Sequence, residues 1–251
     1  LVHGEQPVAP EAEEKYLNWI RQRAEHIPLQ QLTGEQGFMG LTFSVNEHVL
    51  IPRQDTEILV EEVLKELHDG MRVLDMCTGS GCILLSLLHY SNDCEGLGVD
   101  LSAEALEVAG RNVLKVLTPE KAEHAHFLQS DLFEKVEGKF EIIVSNPPYI
   151  ASAEVEKLMP EVRDHEPRMA LDGTEDGLYF YRRIIEEAGK HLVSSGMLFF
   201  EIGYDQGQAV SELMRTEGYC DVQVVQDYAG LDRVVFGTYV TVQPAPFAKS
   251  R

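Results

Sequence analysis

Residues 146 to 149 read Asn-Pro-Pro-Tyr and follow directly on Phe140-Glu141-Ile142-Ile143-Val144, a short apolar run of strand character. An asparagine at a strand's carboxyl end projects an amide whose oxygen accepts and whose nitrogen donates. Two prolines hold the next stretch of backbone at a φ of about −65° and remove two N–H donors. Their carbonyls are left as rigid acceptors. Asn146, Pro147, Pro148 and Tyr149 can thus grip a planar –NH2 group: two acceptors take its hydrogens while the tyrosine ring packs on its plane. Alone, the tetrapeptide is equally a proline-rich turn closing a strand.

The loop Asp75-Met76-Cys77-Thr78-Gly79-Ser80-Gly81 joins another predicted strand to a helix. Its glycines allow a tight turn and a close backbone approach to a ligand. It lacks the G-x-G-x-x-G of dinucleotide sites, and Asp75 stands where a pyrophosphate would sit. That disfavours an anionic dinucleotide and favours a ligand carrying an ammonium group. Asp100 ends the next strand, about 20 residues on, where an acidic residue accepts ribose hydroxyls. Its alternative role as a helix cap is already filled by Ser102. Asp131 ends a third strand within reach of an adenine amino group, and Leu132 or Phe133 would pack on the base. Asp75, Asp100, Asp131 and Asn146 therefore end four consecutive strands along one sheet edge, the edge where open α/β sheets bind ligands. A nucleoside with an ammonium-bearing tail beside a trap for a planar amino group describes S-adenosylmethionine next to an amide or exocyclic amine.

The elements that must position these groups follow from periodicity. A helix is predicted over 13–25, then a hairpin from 38–41 and 41–45, then a helix capped by Asp55 and running through Leu67. From Arg72 onward strands and helices alternate, which dictates a largely parallel sheet with helices on both faces. Residues 151–176 read as a long irregular stretch that could form a lid through His165-Glu166-Pro167-Arg168. A helix is predicted over 177–192. Runs at 222–225 and 234–239 are joined by too short a link for a crossover helix and should pair antiparallel. Arg182-Arg183 reads as a solvated helix face.

A chain of 251 residues can bury a full core, and 44% hydrophobic with 25% charged residues is ordinary for a globular protein. Forty-two acidic against 21 basic residues leave a net charge of −21. That is a poor footprint for duplex nucleic acid and a better one for a basic protein partner. No apolar run approaches the ~20 residues of a membrane span. The four cysteines have no C-x-x-C spacing, so a zinc site is not expected, and a cytoplasmic location with reduced thiols is. The chain starts on Leu1, and its opening reads as the tail of a longer segment.

Gln31-Leu32-Thr33-Gly34, the run 50–57 (Leu-Ile-Pro-Arg-Gln-Asp-Thr-Glu), the Asp75–Gly81 loop, Val144 through Ile150, Glu201-Ile202-Gly203-Tyr204 and Ala229 through Val235 occur in this order. Together they resemble the HemK/PrmC family, S-adenosylmethionine-dependent methyltransferases that modify glutamine in peptide chain release factors. The resemblance runs from about Tyr16 to Tyr239. It implies an α/β fold: a seven-stranded, mostly parallel, Rossmann-like methyltransferase sheet with a C-terminal antiparallel hairpin, behind a truncated helical N-terminal segment. It divides the chain into a remnant docking domain (1–34), a linking hairpin and helix (35–69), a catalytic domain (70–242) and a tail (243–251). It implies N5-methylation of the glutamine in a Gly-Gly-Gln motif. Asp75, the loop Cys77, Thr78, Gly79, Ser80 and Gly81, then Asp100, Leu101, Asp131 and Leu132 would hold the cofactor. Asn146 would meet cofactor and substrate, and Pro147, Pro148, Tyr149 and Arg53 the glutamine side. Cys77 departs from the family, where glycine is commoner, and makes a positive φ there less expected. Leu132 stands where some members carry an aromatic.

Three rival readings use the same residues. A DNA adenine methyltransferase also grips a planar amine but must flip a base out of a duplex, and the charge opposes that. A ribosomal-protein glutamine methyltransferase typically lacks the Asp55-Thr56-Glu57 sequence after Pro-Arg. A nucleoside-binding sensor needs no trap for a second –NH2 group.

Overall fold

The computed structural model describes residues 7–240. Helices α1 (Pro10–Ala24) and α2 (Leu29–Thr33) lead into a two-stranded hairpin, β1 (Glu35–Phe38) and β2 (Leu41–Ser44). Its two-residue turn, Met39-Gly40, has φ of 51° and 72°. Such a turn suits the right-handed twist of the flanking strands. The expected first strand, 38–41, is displaced because those residues form the turn itself. Phe38 and Phe43 meet edge to face beneath the hairpin, with ring centroids 6.0 Å apart.

Then follow α3 (Asp55–Glu66), β3 (Arg72–Met76), α4 (Cys82–Tyr90), β4 (Glu95–Asp100), α5 (Ala103–Val116), α6 (Pro119–Ala122), β5 (Ala125–Gln129) and β6 (Phe140–Ser145). After them come α7 (Ser152–Val155), α8 (Pro160–Arg163), a 3-10 turn (Arg168–Ala170), α9 (Tyr179–Ala188), β7 (Leu192–Glu201), α10 (Gly207–Thr216), β8 (Tyr219–Gln226) and β9 (Asp232–Tyr239). Asp55 does not cap α3. It is the first helical residue, and Gln54 at the cap makes no side-chain bond. Ser102 does cap α5, its hydroxyl accepting from Ala105 N at 3.1 Å. The helix expected over 177–192 is only α9, because Gly177 has a φ of 73° and Leu192 already pairs in the sheet.

The main sheet has the order β5-β4-β3-β6-β7-β9-β8. The first five strands are parallel, and β9 runs antiparallel to both β7 and β8, as the short link required. Side chains alternate across the sheet. Val73, Ile142, Val144 and Phe199 join one core with α3, α4 and α5. Leu74, Met76, Ile143 and Phe200 join the other, with α9 and α10. A strand buried on both faces needs this continuous apolar character. Each fully buried Leu, Val or Phe contributes ~1.5–3 kcal/mol.

Between Ile150 and Gly173 the chain makes an excursion and closes on itself. Ile150 N donates to Leu171 O at 3.0 Å and Gly173 N to Ile150 O at 2.8 Å. The base of the excursion packs on Gly177, where an added Cβ would run into the Tyr149 carbonyl. Gly177→Ala combines that overlap with a positive φ. It should lower stability by about 1–3 kcal/mol, read as a shift in the urea midpoint; an unmoved midpoint would show that this close approach is not kept in solution.

Candidate active site

The strand register aligns the groups on one rim. Met76 is level with Val99 on one side and with Ser145 on the other, and Ser145 is level with Phe200. Cys77, Asp100, Asn146 and Glu201 therefore emerge side by side, one residue beyond the pairs. Ser145 Oγ donates to Met76 O at 2.7 Å and ties two of these ends together.

A cavity of about 210 Å³ opens there. Of the residues expected at the site, Arg53, Cys77, Thr78, Gly79, Ser80, Asp100, Leu101, Asp131, Leu132, Asn146 and Pro148 line it. Asp75, Gly81, Pro147 and Tyr149 do not.

Asp75 is fully buried beneath the loop. One oxygen accepts from Thr78 Oγ1 at 2.6 Å and from Leu84 N at 3.3 Å, and the other has no partner among the described residues. Direct contact of Asp75 with an ammonium group gives way to bracing of the turn. Gly81, at φ 77°, lets the chain enter α4. Tyr149 packs among the second core's side chains, and its hydroxyl donates to Glu201 at 3.3 Å. Its ring does not form the flat wall expected for the amide plane. Phe180 and His48 bring rings to the cavity wall instead.

The loop itself holds a conformation that composition disfavoured. Cys77 has a φ of 62° and Leu132 one of 46°. Both sit in the left-handed region that costs a non-glycine residue ~1–2 kcal/mol, so the expectation that Cys77 avoids positive φ is overturned. Packing on both sides imposes the turn. Thr78 N donates to Val99 O at 2.9 Å, and Gly79 N to Asp100 Oδ2 at 2.8 Å. Asp100 Oδ1 accepts from Ser102 N at 2.9 Å. Each Asp100 oxygen keeps a lone pair for a hydroxyl of a bound nucleoside. Burial raises this carboxyl above the usual aspartate range, against the pull of the backbone donors of Ser102, Gly79 and Leu101. Leu101 and Leu132 flank it apolarly, while Phe133 stacks on His191 instead. Asp131 is engaged by Arg183 Nη1 at 2.9 Å, so Arg183 belongs to the rim rather than to a solvated face.

Several positioning groups escaped the sequence reading. Asn112 is wholly buried in α5; its amide accepts from Ser44 N at 2.7 Å and donates to Ser44 O and to Ser80 O. It clamps the hairpin and the cofactor loop to one helix. No periodicity marks it, because an asparagine on a buried helical face looks like noise until its partners are known. Thr56 lines the cavity and accepts from Asn146 Nδ2 at 3.5 Å. Arg53 pairs with the buried Glu166 at 2.5 Å, and Glu166 also accepts from Ile51 N at 3.2 Å. Pro167, Met169, Ala170 and Asp172 of the excursion form a wall of the cavity. Gln31 Nε2 donates to His165 O at 2.7 Å, and Arg23 pairs with Glu161 at 3.0 Å. That wall is thereby held to α1 and α2.

These residues fit the expected cofactor. A backbone cradle, a carboxylate with free lone pairs and apolar flanks match a nucleoside, with room beyond it toward Asn146. Asp100→Ala should weaken S-adenosylmethionine binding by about 10–100-fold through loss of charged hydrogen bonds, measured by calorimetry. Burial, opposed by the Thr78 hydroxyl, raises Asp75 from 3.8 to about 7. Between those values the native state binds more protons than the unfolded one. The group's stabilisation is full below about 3.8 and is lost as pH rises through about 7, by on the order of 4 kcal/mol. Asp75→Asn should flatten this fall in denaturation free energy between pH 4 and 8. A slope equal to that of the unaltered protein would exclude Asp75 as its source.

Residues 53–162 match the methyltransferase small domain family, and residues 1–34 match the PrmC N-terminal domain. Over 239 residues the chain is 42% identical to a release factor glutamine methyltransferase of Clostridium acetobutylicum, covering 94% of this chain and 83% of that protein. A protein of the same description from Moorella thermoacetica is 45% identical over 237 residues, covering 93% and 82%. A methyltransferase of Pyrococcus furiosus shares the fold at 18% identity, with a TM-score of 0.59 over 88% of this chain and 99% of that one. With the seven-stranded sheet and the rim of strand ends, this identity over most of both chains means that the protein belongs to the release factor glutamine methyltransferase family.

Proposed function

We propose that this chain is a protein-(glutamine-N5) methyltransferase that acts, with S-adenosylmethionine, on the glutamine of a Gly-Gly-Gln motif in peptide chain release factors. When bound, the cofactor supplies an electrophilic methyl group. Gly79, Asp100, Leu101 and Leu132 hold its nucleoside end. At the other end of the cavity, Asn146 Oδ1 accepts one amide hydrogen of the glutamine, and a carbonyl of the Pro147-Pro148 turn, whose Pro148 lines the wall, takes the other. Fixing both hydrogens twists the nitrogen lone pair out of conjugation and aims it across the cavity. The same oxygens stabilise the positive charge growing on the nitrogen, until its extra proton passes to solvent. Pro148, on the cavity wall, shields the site.

The observation that carries this reading is the placement of Asn146 and Asp100 at one registered rim, facing one cavity, in a chain 42% identical to its described relative. Residues 1–34 are read as part of a docking domain, 35–69 as its link and 70–242 as the catalytic domain; the tail 243–251 lies outside the described residues. A net charge of −21 suits a basic protein surface and opposes a DNA substrate, and four unpaired cysteines suit a cytoplasmic setting. Among the described residues no helix is long and apolar enough to cross a membrane.

Mass spectrometry after incubation with a release factor, a ribosomal protein or duplex DNA should place one added methyl on the release-factor glutamine. A methyl on adenine or on the ribosomal protein alone would refute the reading. Asn146→Ala should lower turnover by roughly two to four orders of magnitude while S-adenosylmethionine still binds.

A further inference from the structure

Asn146 can present either end of its amide to a substrate, and the two are opposite in chemistry. Carbonyl outward, it accepts hydrogens from a glutamine –NH2. Amine outward, it confronts donors with donors. Something behind it must choose.

Behind it stands Thr56, whose side chain is buried and whose Oγ1 is 3.5 Å from Asn146 Nδ2. A threonine hydroxyl can also donate to an asparagine, so it sets the amide only if its own proton is engaged elsewhere. Glu201, at the end of β7 and 2% exposed, is beside it. One Glu201 oxygen accepts from the Tyr149 hydroxyl at 3.3 Å; the other is buried with no hydrogen-bond partner among the described residues, which leaves it as the open acceptor for a neighbouring hydroxyl proton. Burial raises this carboxyl, while Thr56, Arg233 and Tyr149 favour its charged, acceptor-only form. Arg233 is itself held by Asp227 at 3.0 Å and lies 3.5 Å from Asp55.

We infer that Thr56 is a positioning residue: its hydroxyl donates to Glu201, so that its oxygen accepts from Asn146 and turns the Asn146 carbonyl toward the substrate glutamine. The inference rests on the proposed role of Asn146 and adds the relay that sets it. Tyr149 acquires a role in the same relay. Instead of covering the glutamine, it holds the Glu201 oxygen that Thr56 does not use.

The test is a double-mutant cycle on Thr56→Val and Asn146→Ala. It is read from release-factor affinity in the presence of S-adenosylhomocysteine, which needs no turnover, and from kcat. Thr56→Val keeps the shape of the side chain and should retain the thermal midpoint and cofactor affinity. It should weaken release-factor binding and lower kcat by about tenfold each, the loss of one hydrogen-bond partner. Thr56→Ser should restore most of both. In the Asn146→Ala background, Thr56→Val should change affinity by less than about twofold. A Thr56→Val protein with unaltered kcat, or an equal loss of affinity in both backgrounds, overturns the relay. Normal turnover by Asn146→Ala alone would instead overturn the proposed function.

Discussion

The parallel register of β4, β3, β6 and β7 is the constraint on which the site depends. Because Val99, Met76, Ser145 and Phe200 stand level, the residues that follow them emerge on one rim within side-chain reach of one another. In a sheet buried on both faces, a slip of one residue would send every core side chain to the wrong layer. Packing of Val73 and Ile142 toward α4, and of Leu74 and Ile143 toward α9, therefore fixes the position of Asn146 relative to Asp100. The chemistry inherits its geometry from the apolar layers.

Beneath the rim lies a second, polar layer that the chemistry would not touch directly. Asp75 braces the turn through Thr78, Asn112 clamps Ser80, and Glu201 holds the Tyr149 hydroxyl. Buried polar groups are costly unless paired, and two of these carboxylates each keep one oxygen unpaired among the described residues. The core tolerates that cost where it fixes the conformation of the loops above. The left-handed backbone at Cys77 and Leu132 belongs to the same pattern, strain held in place by surrounding hydrogen bonds at a functional rim.

The excursion between Ile150 and Gly173 connects the cavity to the N-terminal helices. Its Pro167, Met169 and Ala170 form a cavity wall, its Glu166 is locked by Arg53, and its outer turns are tied to α1 and α2 through Glu161 and His165. A surface engaged by α1 and α2 and this wall of the cavity thus belong to one hydrogen-bonded unit. Arg53 is best understood as the fastening of that unit, consistent with its place between the cavity and the outer helices.

Local pattern by itself determined the order of strands and helices, the antiparallel close of the sheet, the strand-end placement of Asp100, Asp131 and Asn146, and the glycine turn after Asp75. Each of these follows from periodicity and from backbone rules that act over a few residues. It also marked Asn-Pro-Pro-Tyr as a grip for a planar amine, but assigned Tyr149 to the cavity and Asp75 to a ligand. Only the tertiary structure decided that Tyr149 turns inward to Glu201, that Asp75 is sealed below the loop, that Cys77 adopts a positive φ, that Asn112 matters at all, and that Thr56 stands behind Asn146 and Glu166 beneath Arg53. Those outcomes depend on partners such as Thr56 and Asn146, 90 residues apart, and no local propensity encodes a contact whose second member is that distant in the chain.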